Sequence, residues 1–211
     1  MFLDALFDLW LKIAKRYVEW DRMPKVDSHF DVVADCGCGE GIFGGFLKEH
    51  ADSVVGIDIS VFKMEKAHHK GEYESLLIGD ISRLPLREEA VDCYTMFDVI
   101  EHIPKDIIRG FLETPRRVYL TTPEEYYSNR LFAGLLSSPY EEHVSGWTKE
   151  ELEGLGFNVT VERPWFSRIL NLGTIHAKRQ HGDFKGRERP YITPEQSEAV
   201  EVPPELTHND V

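Results

Sequence analysis

Residues 35–45 of the chain read DCGCGEGIFGG, between a short apolar run and a stretch with helical spacing. Glycine adopts the left-handed backbone of tight turns and lets main chain approach a ligand closely. A helix opening after such a loop offers free N–H groups to an anion. Two ligands suit the spacing. Gly39, Gly41 and Gly44 satisfy G-x-G-x-x-G, and Asp58 lies near the distance of a ribose contact, as a dinucleotide would require. Asp35, Gly37, Gly39 and Gly41 instead form a run of glycines with an acid just before them. A carboxylate there repels a pyrophosphate but favours S-adenosylmethionine, whose amino group and sulfonium are both cationic. That ligand's own carboxylate would then face the loop and helix.

Other side chains add to this. Asp80, in IGDISRLPL, follows a strand-like run and could accept from an adenine amino group. The chain has no Y-x-x-x-K pair, as a short-chain dehydrogenase would need, and little room for a second catalytic domain. His102, in FDVIEHIP, falls at the carboxyl end of a strand, where ligands bind in parallel α/β sheets, and an imidazole can take a proton at neutral pH. His143, in EEHVSGWT, is a second candidate base. Either histidine could serve only to orient its surroundings, because an in-line displacement on a sulfonium draws much of its acceleration from alignment and desolvation. No metal site is expected. Cys36 and Cys38 make one Cys-x-Cys without a second pair, while His68 and His69 point apart on a helix. Cys93 reads as a thiol buried within a strand.

These residues need a scaffold, and the pattern supplies one. Strands are expected at Phe30–Asp35, Ser53–Asp58, Leu76–Ile78, Val91–Met96 and Val118–Thr122. Helices intervene: Ile42–Glu49, one capped by Ser60 and stopped by Gly71, and one begun at Pro104 and ended at Gly110. Thr148 and Glu151 form a capping-box pattern, and Asn158–Glu162 with Leu172–Ala177 read as a closing hairpin. The fold class expected is α/β: a Rossmann-like, doubly wound, mostly parallel seven-stranded sheet with a C-terminal antiparallel hairpin and an N-terminal amphipathic helix. By domain, residues 1–24 hold that helix, with Phe2, Leu6, Leu9, Ile13 and Tyr17 on its apolar face. Residues 25–180 form the ligand-binding domain, with an aromatic lid or insert at 123–147 carrying Tyr126, Phe132, Tyr140 and Trp147. Residues 181–211 are a polar tail.

Composition excludes some roles. The formal net charge is -13, whereas a protein that tracks phosphates carries a basic surface. Three cysteines do not make a disulfide framework, so the cytoplasm is the expected compartment. No window approaches the ~20 apolar residues of a membrane span. The first residues, MFLDALFDLWLKIAK, lack the basic start and cleavage site of a secretory signal.

VVADCGCGEGIFGGFL, VVGIDIS, LLIGDISRLPL and VDCYTMFDVIEHIP, in that order, resemble the class I S-adenosylmethionine-dependent methyltransferases. They are most similar to the broad group that includes the ubiquinone and menaquinone biosynthesis enzymes. The resemblance covers residues 30–122 and continues weakly through HVSGWTKEELEGLGF. It implies that Asp35, Gly37, Gly39 and Gly41 form the cofactor loop and that Asp58 takes the ribose hydroxyls. It places Ile59 on the adenine face, Asp80 at the adenine amino group with Ile81 beside it, and Phe97 near the methionine part. It implies S-adenosylmethionine as cofactor. The acceptor motifs of the adenine-amino and cytosine-C5 DNA enzymes are absent: Met96, Phe97 and Asp98 follow the fourth strand, and no Pro-Cys occurs. A small-molecule acceptor is therefore expected, with a protein side chain left open. Two other readings stand beside it, a non-catalytic cofactor-binding module and a dinucleotide-dependent oxidoreductase.

Overall fold

A computed structural model describes residues 24–114, 116–124, 142–162 and 173–180. The expected helix at 2–20, residues 125–141 of the aromatic segment and the tail from 181 lie outside the described residues.

Seven strands form one sheet: β1 Phe30–Cys36, β2 Ala51–Asp58, β3 Ser75–Ile78, β4 Cys93–Phe97, β5 Val118–Pro123, β6 Asn158–Glu162 and β7 Thr174–Arg179. Their order is β3-β2-β1-β4-β5-β7-β6. The first five strands run parallel, and β7 is antiparallel to both β5 and β6. The order of the parallel strands reverses between β1 and β4, so a crevice opens at their carboxyl ends, where ligands settle in such sheets.

The sequence forms these strands because both faces of the sheet are covered, which calls for continuous apolar runs rather than alternation. VVADC in β1 and CYTMF in β4 are buried throughout. Successive side chains still go to opposite faces. Val32, Ala34 and Cys36 join Ile108, Leu112 and Leu152 in one cluster, while Val33 joins Leu47 and Tyr119 in the other. Each such leucine or isoleucine, once buried, contributes roughly 1.5–3 kcal/mol.

The helices are α1 Gly44–Lys48, α2 Val61–Lys70, α3 Lys105–Glu113 and α4 Lys149–Gly154. Ser60 caps α2 by accepting from the Lys63 N–H, and Gly71 stops it in the left-handed conformation. Thr148 and Glu151 close the expected capping box on α4.

Some boundaries differ from expectation. Helix α1 starts two residues late, because the glycine loop holds the chain as turn and bend through Phe43. Pro104 is the N-cap of α3 rather than a residue of its first turn. Gly110 does not end that helix. Buried Ile108 and Leu112 stand four residues apart across it, and their packing outweighs the glycine's poor helix propensity. Leu172, the expected start of the last strand, lies outside the described residues; the strand runs Thr174–Arg179, two residues past its expected end, in register with β5 from Pro123↔Thr174 to Val118↔Arg179. Trp147, counted in the aromatic segment, lies in the core, 3% exposed, with Nε1–H donating to the Ile100 carbonyl at 3.4 Å.

Candidate functional site

The glycine loop leaves β1 at its carboxyl end and is fastened to the end of β2. The Gly37 and Cys38 N–H groups both donate to the Ile57 carbonyl, at 2.7 and 3.1 Å. Asp58 completes the tie. Its Oδ2 accepts from the Gly39 N–H and its Oδ1 from the Ser60 N–H, both at 2.8 Å. Each carboxylate oxygen has a second lone pair, so these bonds leave acceptor capacity facing outward. Gly37, Gly39 and Gly41 all have positive φ, 80°, 54° and 74°. A Cβ on Gly37 would come within 2.5 Å of Val99 Cγ2, whereas on Gly39 it would meet nothing closer than 3.9 Å. Gly37 is therefore glycine for packing, and Gly39 presents bare main chain to open space.

That space is a cavity of about 350 Å³, within the range of small-molecule sites. Gly37, Gly39, Asp58, Ile59, Asp80 and Ile81 line one part of it. The rest of the lining comes from the end of β4 and the start of α3, through Asp98, Val99, His102, Ile103, Pro104 and Ile107. Asp80 caps a short 3-10 turn, Ile81–Arg83, with Oδ1 accepting from the Ser82 N–H at 2.8 Å. Ile59, at 44% exposed, offers an apolar surface to the cavity.

Asp35, Gly41 and Phe97 lie outside this lining. Gly41 packs against Ala67, where a Cβ would sit 3.2 Å from its Cα. Phe97 is buried and meets Phe43 edge to face, with ring centroids 5.1 Å apart. Asp35 is buried behind the loop, with Oδ2 accepting from the Tyr73 hydroxyl at 2.8 Å and Oδ1 from the Thr95 hydroxyl at 2.9 Å. Desolvation pushes its carboxyl up to about 6 against the lowering effect of those two bonds, and the charge of Asp58 adds to the rise. Cys36, Cys38 and Cys93 are buried free thiols, each pushed up by desolvation and so kept protonated.

The two candidate histidines, far apart in sequence, are brought together. Their rings meet edge to face with centroids 4.9 Å apart. His102 lines the cavity, and its Nδ1 lies 3.2 Å from the Glu142 carbonyl oxygen. His143 is 8% exposed.

Sequence reasoning named Asp98 only as a departure from the DNA-enzyme motif and gave it no place in the site. It is the one described non-glycine residue with positive φ, 55°, and it sits where β4 ends. Its N–H donates to the Thr121 carbonyl at 3.0 Å and its Oδ1 accepts from the Thr121 hydroxyl at 3.3 Å. Strained backbone of this kind gathers at ligand sites, and only its place after the fourth strand could have pointed to it.

Residues 34–119 match the family model described as Methyltransferase domain. Among curated proteins, the malonyl-[acyl-carrier protein] O-methyltransferase of Hamiltonella defensa is 33% identical over 64 residues, 30% of this chain and 25% of that protein. The ubiquinone biosynthesis O-methyltransferase of Coxiella burnetii is 32% identical over 76 residues, 34% of this chain and 32% of that one. The 18S rRNA (guanine-N(7))-methyltransferase of Mus musculus is 30% identical over 90 residues, 42% of this chain and 31% of that one. The matches thus span a quarter to a third of these relatives' length. Among solved structures, a chain of the Haloferax volcanii complex of the Trm112 methyltransferase activator with a methyltransferase superposes with TM-score 0.55 at 15% identity, covering 78% of this chain and 89% of that one. A Bacillus halodurans structure titled a methyltransferase gives TM-score 0.51 at 14% identity, covering 77% and 96%. Residues 34–119 thus match a methyltransferase domain, curated relatives of that stretch are S-adenosylmethionine-dependent methyltransferases, and the fold is shared with these solved structures.

Proposed function

We propose that this chain transfers a methyl group from S-adenosylmethionine to a small-molecule acceptor by in-line displacement. One observation carries the reading. Six of the nine residues assigned to the cofactor from sequence converge on one cavity at the topological switch point of the sheet. The donor set fits the ligand. Asp58 has acceptor capacity for two ribose hydroxyls, and Asp80 for an exocyclic amino group. Ile59 and Ile81 suit the faces of a purine. Asp98, also on the lining, supplies a carboxylate from which a cationic amino group or sulfonium gains. When bound, the cofactor supplies an electrophilic methyl carbon. The chain's part is to fix that carbon's direction and exclude water, with Val99, Ile103 and Ile107 forming an apolar wall. His102 is the group on the lining that can hold a proton released by the acceptor, with His143 behind it.

The relatives' names place methylation on oxygen in two cases and on a guanine nitrogen in rRNA in the third. A small acceptor is favoured here by the net charge of -13 and by the apolar wall. The three buried free thiols support a reducing, cytoplasmic setting. No helix among the described residues is long and apolar enough to cross a membrane.

Calorimetry with S-adenosylmethionine, S-adenosylhomocysteine and NADH tests the reading. The two sulfur ligands should bind with micromolar Kd, and Asp58→Ala should weaken both at least tenfold. Binding of NADH without binding of either sulfur ligand would return the site to the dinucleotide reading.

A further inference from the structure

Glu101, His102 and His143 each present one ligand atom, and those atoms lie within 4.8 Å of one another. We propose that the three hold a divalent transition-metal ion, such as Zn²⁺, Mn²⁺ or Fe²⁺, at the edge of the cofactor cavity. Two imidazoles and one carboxylate are the donor set of open metal sites, which leave a position for water or a substrate oxygen. Donors on one tetrahedral ion at ~2.1 Å stand roughly 3.4 Å apart, so closing the set needs shifts of about an ångström.

The surroundings are those of a held site rather than a surface cluster. Glu101 is 2% exposed, so its carboxylate is positioned by the protein rather than by solvent. Its Oε2 accepts from the Thr122 hydroxyl at 3.0 Å, which orients the carboxylate. The Glu142 carbonyl beside His102 Nδ1 is the kind of backbone acceptor that fixes a ligating imidazole's tautomer, and a proton on Nδ1 leaves the lone pair on Nε2. The segment bearing His143 is itself tied down. The Val144 and Ser145 N–H groups donate to the Glu101 carbonyl at 2.9 and 3.0 Å, and the Ser145 hydroxyl donates to the Ile100 carbonyl at 3.0 Å. Two ligands thus come from the end of β4 and the third from a segment pinned against it. Because His102 also lines the cavity, the ion would lie at the cavity's edge, and with it bound a water on the ion rather than the His102 imidazole would be the group that takes a proton.

The proposal does not rest on methyl transfer, and its test uses metal alone. The full chain, stripped with a chelator, is titrated with Zn²⁺ by calorimetry and with Mn²⁺ by electron paramagnetic resonance, without S-adenosylmethionine. One equivalent should bind, with nitrogen hyperfine coupling in the Mn²⁺ spectrum from the imidazoles. Glu101→Gln and His143→Ala should each weaken binding at least tenfold, while the exposed His69→Ala leaves it unchanged. Absence of a stoichiometric site, binding without nitrogen coupling, or loss of the site in His69→Ala would overturn the proposal. The wild-type spectrum decides even where a buried variant does not fold. A chain that binds metal but no sulfur ligand would keep this site and lose the methyltransferase reading, and the reverse holds too.

Discussion

The carboxyl of Asp35 is held by two hydroxyls, yet burial keeps it near 6, above the ~3.9 of an unfolded aspartate. A group that binds its proton more tightly when folded contributes stability that is complete below about pH 4 and is lost as pH rises through about 6. Two pH units correspond to about 3 kcal/mol. Asp35→Asn keeps the shape, accepts from one hydroxyl through its oxygen and donates its amide N–H to the oxygen of the other, much as the protonated acid does, but does not titrate. It should be more stable than wild type by about 1–3 kcal/mol at pH 8, with the difference closing toward pH 4. Urea melts across that range measure it, and a difference constant with pH would mean that Asp35 is ionised throughout. The loop glycines separate in the same way. Gly37→Ala meets both a left-handed backbone and Val99 at 2.5 Å, and should cost roughly 2–4 kcal/mol. Gly39→Ala meets only the backbone cost, about 1 kcal/mol, but sets a methyl group in the cavity. Its loss should therefore appear mainly in S-adenosylmethionine affinity with only a small fall in Tm, while Gly37→Ala lowers Tm strongly as well.

Helix α3 carries a glycine that its packing does not need. Gly110 is exposed, has no positive φ, and a Cβ there would touch nothing within 4 Å. Gly110→Ala should stabilise the protein by about 0.5–1 kcal/mol, through helix propensity and a less disordered unfolded chain. Thermal melts would reveal it as a small upward shift in Tm, and a fall would mean that the residue is used elsewhere. The same glycine marks where sequence stops being informative. Strands β1 to β5 were legible because each is a short apolar run between turn residues, and the cofactor acids because they fall where those runs end. A helix end fixed by Ile108 and Leu112 packing on the sheet is a tertiary outcome, invisible to local propensity. Nor could spacing reveal that Asp35 turns away behind the loop, or that residues 102 and 143 meet. The first depends on Tyr73 and Thr95 arriving from other elements, and the second on the Glu101 carbonyl capturing the chain at 144–145.

At the scale of the molecule, the antiparallel end of the sheet is fastened to the helices by one cation. Arg179, on β7, is 6% exposed. Its Nη1 donates to the Leu112 carbonyl at 2.5 Å and the Leu155 carbonyl at 2.9 Å, its Nη2 to Thr114 at 2.5 Å and its Nε to Arg116 at 3.1 Å. Those acceptors are the last turns of α3 and α4 and the chain leading into β5, so the guanidinium satisfies carbonyls that neither helix can satisfy itself and sits at the negative ends of both dipoles. Its face also stacks on Phe157, 4.5 Å from the ring centroid. Burial lowers its basicity, but a guanidinium starts so high that it stays charged across any working pH. Arg179→Lys supplies one compact ammonium in place of a planar fork and cannot reach all of these acceptors, while Arg179→Met reaches none. Leaving buried carbonyls unpaired costs about 1–3 kcal/mol each, partly offset by relaxation. Stability should fall by roughly 2 kcal/mol for lysine and 3–5 kcal/mol for methionine, with hydrogen exchange accelerated first at the carboxyl ends of α3 and α4. Helix α3 also forms one wall of the cavity, so cofactor affinity should weaken in parallel even though Arg179 touches no part of that lining. If exchange rises at those helix ends while affinity holds, the cavity wall is set by Pro104 and the start of α3 alone, and the antiparallel end of the sheet serves only to close the core.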